Sequence, residues 1–481
     1  MKSASNKESP LYMRLSVNPY AIALLALILL VIPALASNSF LSGKEPYLIQ
    51  RLAEDFNEKG IQKTDELSYS GRVYVYPLGT IFIISGVERF LGEKAFIILP
   101  VILGALSIFL FYLIIKKEFS NELLAAISSV ILLSSPSFIY TFSSITMFTL
   151  PFFLIILGFY TLQKPGLNPL SCIIFVSTAF FGIQQAVISV AILIIMYKKE
   201  TRVYHLLSIA AIIAILAFFY LPSFAQYGFP EIPDFESRNP LFNLFSDLGS
   251  NFGISLFLVF LAFFGLKRIW KEKYAHLRIY FGLLAVILLL FIGASFVIYS
   301  ALILAPLAAA GILYLWSSNW ESQIIKDLTI LILILGLLFS SVSFINDFKN
   351  IEPSEEKINS LLFIKENTPK ESVVLSHHSY GIWINSIASR KNVIDDYQLY
   401  APEINQRYQD TQEIFSSRNL EKTKSLLNKY SINYIYLTKE MKQGTVWQSE
   451  EQGLLFVLKF SNQDFTKIYD KEGNEVWKVV R

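Results

Sequence analysis

Long apolar runs separated by short polar segments fill the first 345 residues of the chain. Many of the runs approach the roughly 20 residues that a helix needs to cross the hydrocarbon core of a bilayer. We predict spans near residues 20–36, 95–115, 121–140, 144–162, 169–183, 184–197, 203–222, 252–270, 279–293, 296–316 and 324–345. The pattern therefore predicts a polytopic α-helical membrane protein with about 11 spans.

Two of the apolar stretches, 169–197 and 279–316, are interpreted as helix pairs because of where the basic residues fall. With both stretches split, lysines and arginines concentrate in the inner loops, and the short outer loops hold only Arg238. A single helix over 169–197 would move the basic stretch Lys267–Arg278 outside. We therefore predict a multi-pass protein of the cell membrane with a cytoplasmic N-terminus and an extracytoplasmic C-terminal part.

The first apolar run, Tyr20–Ala36, is open to two interpretations. Its end, Ala34-Leu35-Ala36, also suits cleavage of a signal peptide. We interpret the run as a membrane anchor, because the following outer segment, 38–94, needs tethering at the surface. Within that segment, Pro77–Leu91 is apolar but short, which predicts an interfacial helix.

Residues 350–481 change to an alternation of helical and extended patterns. The pattern predicts helices near 354–366, 379–388, 403–416 and 419–429, and strands at Ser372–Ser376, Asn392–Asp395, Ile432–Leu437, Phe465–Tyr469 and Val476–Val480. This alternation is typical of an α/β fold. We therefore predict a membrane domain over 1–349, including the outer loop 38–94, and a soluble α/β outer domain over 350–481.

Composition supports the membrane assignment and excludes several other classes. The chain is 53% hydrophobic and 16% charged, against about 25% charged residues in ordinary soluble domains. A single cysteine, Cys172, excludes a disulfide scaffold. The balance of 41 Lys and Arg against 38 Asp and Glu does not suggest a nucleic-acid partner.

Glu45 is the main candidate for chemistry in the first outer segment. Pro46 suits the first turn of a new helix, which places Glu45 at the helix N-terminus, where a carboxylate is stabilised. A carboxylate held at the membrane surface can act as a general base. The alternative is that Glu45 only caps the helix.

The first outer segment resembles the GT-C class of membrane glycosyltransferases. The resemblance rests on Glu45-Pro46-Tyr47 after the first span, on Arg51, and on Tyr76-Pro77-Leu78-Gly79 before the interfacial helix. This class includes protein O-mannosyltransferases, aminoarabinose transferases and oligosaccharyltransferase catalytic subunits. The resemblance implies that Glu45 is the catalytic or metal-binding carboxylate. Lys44 stands where many members carry a second acid.

A second resemblance lies in the predicted outer domain, where Ser376–Trp383 is similar to the WWDYG region of oligosaccharyltransferases. Tyr380, Gly381 and Trp383 are retained, whereas two histidines and Ser379 replace the two tryptophans and the aspartate. The resemblance implies a role in acceptor or substrate binding for Tyr380 and Trp383, together with Tyr47. The replaced side chains argue against N-glycosylation of proteins.

Two further groups could hold a metal. His377 and His378 are adjacent on a predicted strand, where neighbouring side chains point to opposite faces, so we expect ordinary histidines rather than ligands. The acidic cluster of Glu231, Asp234 and Glu236 either supplies an acid or forms a solvated loop. Whether a divalent metal such as Mg²⁺ or Mn²⁺ takes part stays open.

The resemblance implies transfer of a sugar from a polyprenyl- or dolichyl-phosphate donor to an acceptor outside the membrane, with inversion. Glu45 would be the base, and Arg51 or Arg72 would bind the donor phosphate. Each arginine could instead be solvated or contact lipid headgroups. The expected partners are the lipid-linked donor and membrane lipids. The alternatives are a flippase for lipid-linked glycans, which would need ionisable residues within the spans, and a non-catalytic relative.

Overall fold

The computed structural model describes residues 18–36, 41–164, 166–197, 199–229, 244–248, 250, 253–270, 273–274, 276–292, 294–348, 351–449 and 451–480. The chain divides into two compact units. The first comprises Met1–Ala36, Lys94–Ile215 and Arg238–Lys349, and the second comprises Ser37–Glu93, Leu216–Ser237 and Asn350–Arg481. This division differs from the predicted boundary, because the outer segment groups with the C-terminal part of the chain.

Helices run along the whole described chain: α1 (Pro19–Ala36), α2 (Lys44–Lys59), α3 (Leu78–Leu91), α4 (Ala95–Phe119), α5 (Glu122–Leu133), α6 (Pro136–Ser143), α7 (Thr149–Leu162), α8 (Asn168–Ser177), α9 (Ile183–Ile195), α10 (Arg202–Tyr227), α11 (Leu256–Ile269), α12 (Leu277–Ile292), α13 (Val297–Ser317), α14 (Gln323–Phe348), α15 (Glu355–Asn367), α16 (His378–Ser386), α17 (Ile404–Ser416), α18 (Leu420–Lys429) and α19 (Gly453–Phe460). The strands are β1 (Thr64–Asp65), β2 (Arg72–Val73), β3 (Val373–Leu375), β4 (Lys391–Asn392), β5 (Ile432–Leu437), β6 (Phe465–Lys471) and β7 (Asn474–Val479).

Within the described residues, four helical stretches are long and apolar enough to cross a membrane. They are Leu78–Phe119, Lys199–Tyr227, Val297–Ser317 and Gln323–Phe348. A fifth crossing results if α5 and α6, which are bent by 66° relative to each other, form one span. Other helices, including α7 and α9, are apolar but only 10–17 residues long. These helices support a polytopic helical membrane protein, and the predicted count of 11 spans is not confirmed.

Both predicted helix breaks are present in the first unit. Helix α8 ends at Ser177, and α9 begins at Ile183, directly after Gly182. Gly182 has a φ of +124°, a backbone conformation that side chains other than glycine rarely adopt. The second break separates the end of α12 at Ile292 from the start of α13 at Val297.

Helix α1 packs closely into the first unit. Ala26 and Leu30 of this helix are fully buried. A Cβ added at Gly104 of α4 would lie 2.5 Å from the Leu30 side chain and 2.8 Å from Phe142 of α6. Gly104 therefore permits the close approach of these helices, as small residues do between membrane helices.

The second unit contains a five-stranded mixed sheet with the strand order β4-β3-β5-β7-β6. Strand β3 is parallel to β4 and β5, whereas β7 is antiparallel to β5 and β6. All three residues of β3 are buried, as in a strand that is covered on both faces. The helices and strands of this sheet region lie close to their predicted positions, except that β4 is reduced to two residues.

Helix α19 was not indicated by the sequence pattern. It has eight residues, which is too short for a clear helical periodicity. It begins at Gly453, which has a φ of +46°. A Cβ at this position would lie 2.0 Å from the carbonyl oxygen of Phe415 at the end of α17, so a tertiary contact sets the start of α19.

Candidate functional site

Glu45 lies in the first turn of α2, where the sequence placed it. The helix begins at Lys44, directly after Gly43, which has a φ of +91°. Pro46 is the third helical residue, where the missing N–H costs no helical hydrogen bond. The Glu45 side chain is half-buried, and the helix N-terminus stabilises its negative charge. The Gly43 N–H donates to the carbonyl oxygen of Glu352 at 2.7 Å, so the C-terminal part of the chain holds the start of α2.

Lys44 is paired with a carboxylate of the C-terminal part. Its Nζ forms an ion pair with Asp396. The other oxygen of Asp396 lies 2.6 Å from Nδ1 of His378. Burial alone would raise the pKa of Asp396, but the hydrogen bond with His378 and the charge of Lys44 outweigh burial and hold that pKa below its ordinary value. Lys44, the residue before Glu45, is therefore a cation whose charge Asp396 balances.

The expectation that His377 and His378 point to opposite faces of a strand is wrong. Strand β3 ends at Leu375, and helix α16 begins at His378, with His377 as its N-cap. The two imidazole rings lie side by side, with centroids 4.0 Å apart. Burial, together with the charges of His378 and Lys44, lowers the pKa of His377 to about 4. Among the described residues, no three His, Cys, Asp or Glu side chains group as metal ligands.

Arg51 is buried, and both of its terminal nitrogens bind one carboxylate, whereas its Nε has no hydrogen-bond partner among the described residues. Its two terminal nitrogens donate to the two oxygens of Asp65, at 2.8 and 2.7 Å. The phenol of Tyr76 donates to the same carboxylate at 2.7 Å. Burial would raise the pKa of Asp65, but the charge of Arg51 and these hydrogen bonds hold the pKa well below its ordinary value. The positive charge of Arg51 is therefore matched inside the fold.

Arg72 is equally buried but is not matched in this way. Arg72 lies opposite Asp65 in the short β1–β2 ladder, and this pairing is one of backbone register. Its guanidinium lies between two aromatic rings, 4.8 Å from the centroid of Tyr76 and 4.5 Å from that of Tyr397. One terminal nitrogen donates to the carbonyl oxygens of Tyr397 and Leu399. The atoms Nε and Nη2 are buried without a hydrogen-bond partner in the described part of the chain.

Tyr397 connects the surroundings of Arg72 with those of Glu45. Burial raises the pKa of the Tyr397 phenol, the charge of Arg72 lowers it, and the negative charge of Glu45 raises it further. Both charged side chains therefore act on the same phenol. Tyr397 therefore links Glu45 and Arg72, as Tyr76 links Arg72 with Arg51.

The three predicted substrate-binding aromatics support the fold around Glu45. Tyr380 and Trp383 are only 4% and 3% exposed and belong to the hydrophobic core of the second unit, and Tyr47 packs against that core. The indole Nε1 of Trp383 donates to the carbonyl oxygen of Gly43 at 3.4 Å. The Lys44 ammonium lies 5.7 Å from the centroid of the Trp383 ring. These contacts stabilise the start of α2, and a direct role in substrate binding stays a prediction.

Three residues of this region were missed at the level of sequence. Tyr76 lies within the quoted Tyr-Pro-Leu-Gly motif but was given no role there, and Tyr397 belonged to no quoted motif. Their rings approach to 4.8 Å between centroids. Asp65 carried no motif at all. The predicted acidic cluster of the 231–236 loop lies outside the described residues.

Sequence comparisons do not identify relatives of this chain. No protein-family model matches it, and no curated protein matches it. Solved structures do match over nearly the whole chain.

The oligosaccharyltransferase of Archaeoglobus fulgidus, solved with a tethered acceptor peptide that contains an NVT sequon, is 12% identical, with a TM-score of 0.60. The match covers 96% of this chain and 74% of that one. ArnT from Cupriavidus metallidurans, bound to undecaprenyl phosphate, is 13% identical, with a TM-score of 0.57. That match covers 96% of this chain and 98% of the other.

The arabinofuranosyltransferase AftD from Mycobacteria is 14% identical, with a TM-score of 0.57, over 96% of this chain and 40% of its own length. These structural neighbours are glycosyltransferases of the GT-C class. At such low identities the likeness establishes a shared fold, which confirms the architecture that the first outer segment suggested.

Proposed function

We propose, from the fold shared with GT-C glycosyltransferases, that this chain transfers a sugar from a polyprenyl- or dolichyl-phosphate donor to an acceptor. Support at the level of the fold comes from matches that extend over 96% of the chain. ArnT, which matches over 98% of its own length, was solved with undecaprenyl phosphate. A phosphorylated isoprenoid is therefore the donor class that we assign to this chain.

The observation that carries the proposal is the environment of Arg72. A buried guanidinium with two unpaired nitrogens is costly, because each unmatched polar group loses its hydration without compensation. A phosphate oxygen is the ligand that an arginine fork binds best. Arg51 is less suited to this role, since both of its terminal nitrogens already donate to Asp65 and that carboxylate balances its charge. We therefore assign the donor phosphate to Arg72 rather than to Arg51.

Access to Arg72 requires a local movement. The side chain is only 3% exposed, and the carbonyl oxygens of Tyr397 and Leu399 cover one of its nitrogens. Residues 397–400 lie outside the helices and strands, so their displacement breaks no helical or sheet hydrogen bond and leaves the pairing of Asp396 with Lys44 intact. We propose that displacement of this segment opens Arg72 to the phosphate.

In the proposed reaction, Glu45 accepts the proton of an acceptor hydroxyl as the hydroxyl oxygen bonds to the anomeric carbon. The bond from the anomeric carbon to the phosphate oxygen breaks, and that oxygen keeps the electron pair. Arg72 stabilises the charge that develops on the departing lipid phosphate. Attack opposite the leaving group inverts the anomeric centre.

The test is transfer from radiolabelled prenyl-phosphate sugars by the full-length chain in detergent micelles. We expect E45Q to lower the transfer rate by about 10²–10⁴-fold, the usual contribution of a general base. E58Q is the matched control, because Glu58 is an exposed carboxylate on the same helix and should leave transfer unchanged.

Undiminished transfer by E45Q would remove Glu45 as the base. For Arg72, R72K keeps the positive charge but loses the fork, so donor binding should weaken more than the turnover of bound donor. An unaltered donor affinity in R72K would remove Arg72 from the phosphate site.

A further inference from the structure

A groove in the first unit lies between α5, α13 and α14, far along the chain from the candidate site. Its volume is about 790 Å³, within the range of ligand-binding sites. The lining residues come from both ends of α5, from the facing helices α13 and α14, and from the end of α11.

The groove is polar at one end and apolar along its length. Asn121 precedes the first residue of α5, and Arg268, Trp316 and Ser317 lie at the C-terminal ends of α11 and α13, so we take these residues as the polar end. Val130 and Leu338 are exposed apolar residues farther along the wall. Helix α5, which forms one wall, has 12 residues and is therefore about 18 Å long. This length is close to the depth of one leaflet, about half of a 30 Å hydrocarbon core.

The polar end carries an uncompensated positive charge. Arg268 is exposed, and no described residue forms an ion pair or hydrogen bond with it. Glu122 is the one acidic residue among those lining the groove, and Lys116 lies 2.6 Å from its carboxylate. The carboxylate is thus neutralised within the protein, so the groove presents the charge of Arg268 alone.

We propose that this groove binds one anionic phospholipid. The phosphate would pair with Arg268, Trp316 would lie at the depth of the headgroup, and an acyl chain would follow the apolar wall toward Ser134. Tryptophan is enriched at the membrane interface, and basic pockets between membrane helices bind anionic headgroups. The site is independent of sugar transfer, because none of its residues belongs to the second unit.

The test places the full-length chain in two series of nanodiscs. One series contains an increasing fraction of phosphatidylglycerol with brominated acyl chains, and the other contains an increasing fraction of phosphatidylcholine with brominated acyl chains. Bromine quenches tryptophan fluorescence at contact, and the difference between the native chain and W316F isolates the signal of Trp316. We expect brominated phosphatidylglycerol to reach half-maximal quenching at an about fivefold lower fraction than phosphatidylcholine. R268Q should abolish this preference.

K267Q is the matched control, since it removes a neighbouring exposed charge that does not line the groove. It should keep the preference for phosphatidylglycerol. V130F fills the apolar wall, leaves Arg268 intact and should reduce quenching by both lipids. Equal quenching by the two lipids would mean ordinary lipid contact, and absence of quenching by either would mean that protein, such as a second copy of the chain, covers the groove. Either result would overturn the proposal.

Discussion

Two arginines with the same predicted role differ because of their immediate neighbours. Arg51 forms a two-point ion pair with Asp65, and removal of either partner would leave an uncompensated buried charge. Arg72 is held between two phenols and keeps two nitrogens without partners. A buried cation of the first kind is already compensated by its carboxylate, whereas one of the second kind is suited to bind an anion. Only Arg72 therefore remains our candidate for the phosphate.

The adjacent rings of His377 and His378 give a residue-level prediction about pH. The pKa of His377 is about 4 in the folded chain, against an ordinary value of 6.5. Between these values the unfolded chain binds more protons, so stability is retained above about pH 6.5 and decreases as the pH falls toward 4. We expect H377Q to flatten this decrease when the thermal midpoint is measured against pH. H276Q, which alters a histidine outside the cluster, should keep the native slope; an unchanged slope in H377Q would contradict the assignment.

At the scale of elements, the crossing of α11 and α13 depends on two glycines that face each other. A Cβ at Gly265 would lie 1.8 Å from the carbonyl oxygen of Leu307. A Cβ at Gly311 would lie 2.0 Å from the carbonyl oxygen of Leu261. The backbones are therefore in contact, and this close approach between membrane helices is available only to the smallest residue.

Substitution of either glycine by alanine should force the two helices apart. We expect G265A and G311A each to lower stability by about 1–3 kcal/mol, the usual cost of overpacking, measured as a lower thermal midpoint. G86A is the matched control, because nothing lies within 4 Å of a Cβ at Gly86 in α3. There, alanine should be neutral or slightly stabilising, since it favours helix more than glycine does. Equal thermal midpoints for G265A and G86A would contradict the close backbone contact between α11 and α13.

At the scale of the whole molecule, segments far apart in the sequence build the second unit. Ser68 donates to the buried carboxylate of Asp395 at 2.7 Å. The amide of Asn392 accepts the Tyr69 N–H at 2.7 Å and donates to Asp395 at 3.0 Å. Burial raises the pKa of Asp395 against the effects of Arg72 and of these hydrogen bonds. The outer segment and the C-terminal part therefore stabilise each other.

Asn392 gives a test of this mutual stabilisation. N392A removes these two hydrogen bonds and the donation of the same amide to the carbonyl oxygen of Gly381 at 2.8 Å, and should cost about 1–3 kcal/mol through the buried groups left unpaired. We expect faster hydrogen exchange over residues 64–73, which are remote in sequence from the substitution. N367A is the control, because the side chain of Asn367 only donates to the carbonyl of Phe363 within its own exposed helix end. If hydrogen exchange became faster only near residue 392, the outer segment and the C-terminal part would not depend on each other for stability.

The amino-acid sequence by itself determined the features that arise from local patterns. The apolar runs, the two helix breaks, the start of α2 at Glu45 and the helix and strand order after 350 all depend on neighbouring residues, so periodicity and turn chemistry reveal them. Tertiary structure alone decided that Arg51 is compensated and Arg72 is not, that the rings of His377 and His378 lie against each other, and that α19 forms. It also joined the outer segment to the C-terminal part. These outcomes depend on which distant side chains meet, and the free energy of a buried charge depends on its partners rather than on its place in the chain.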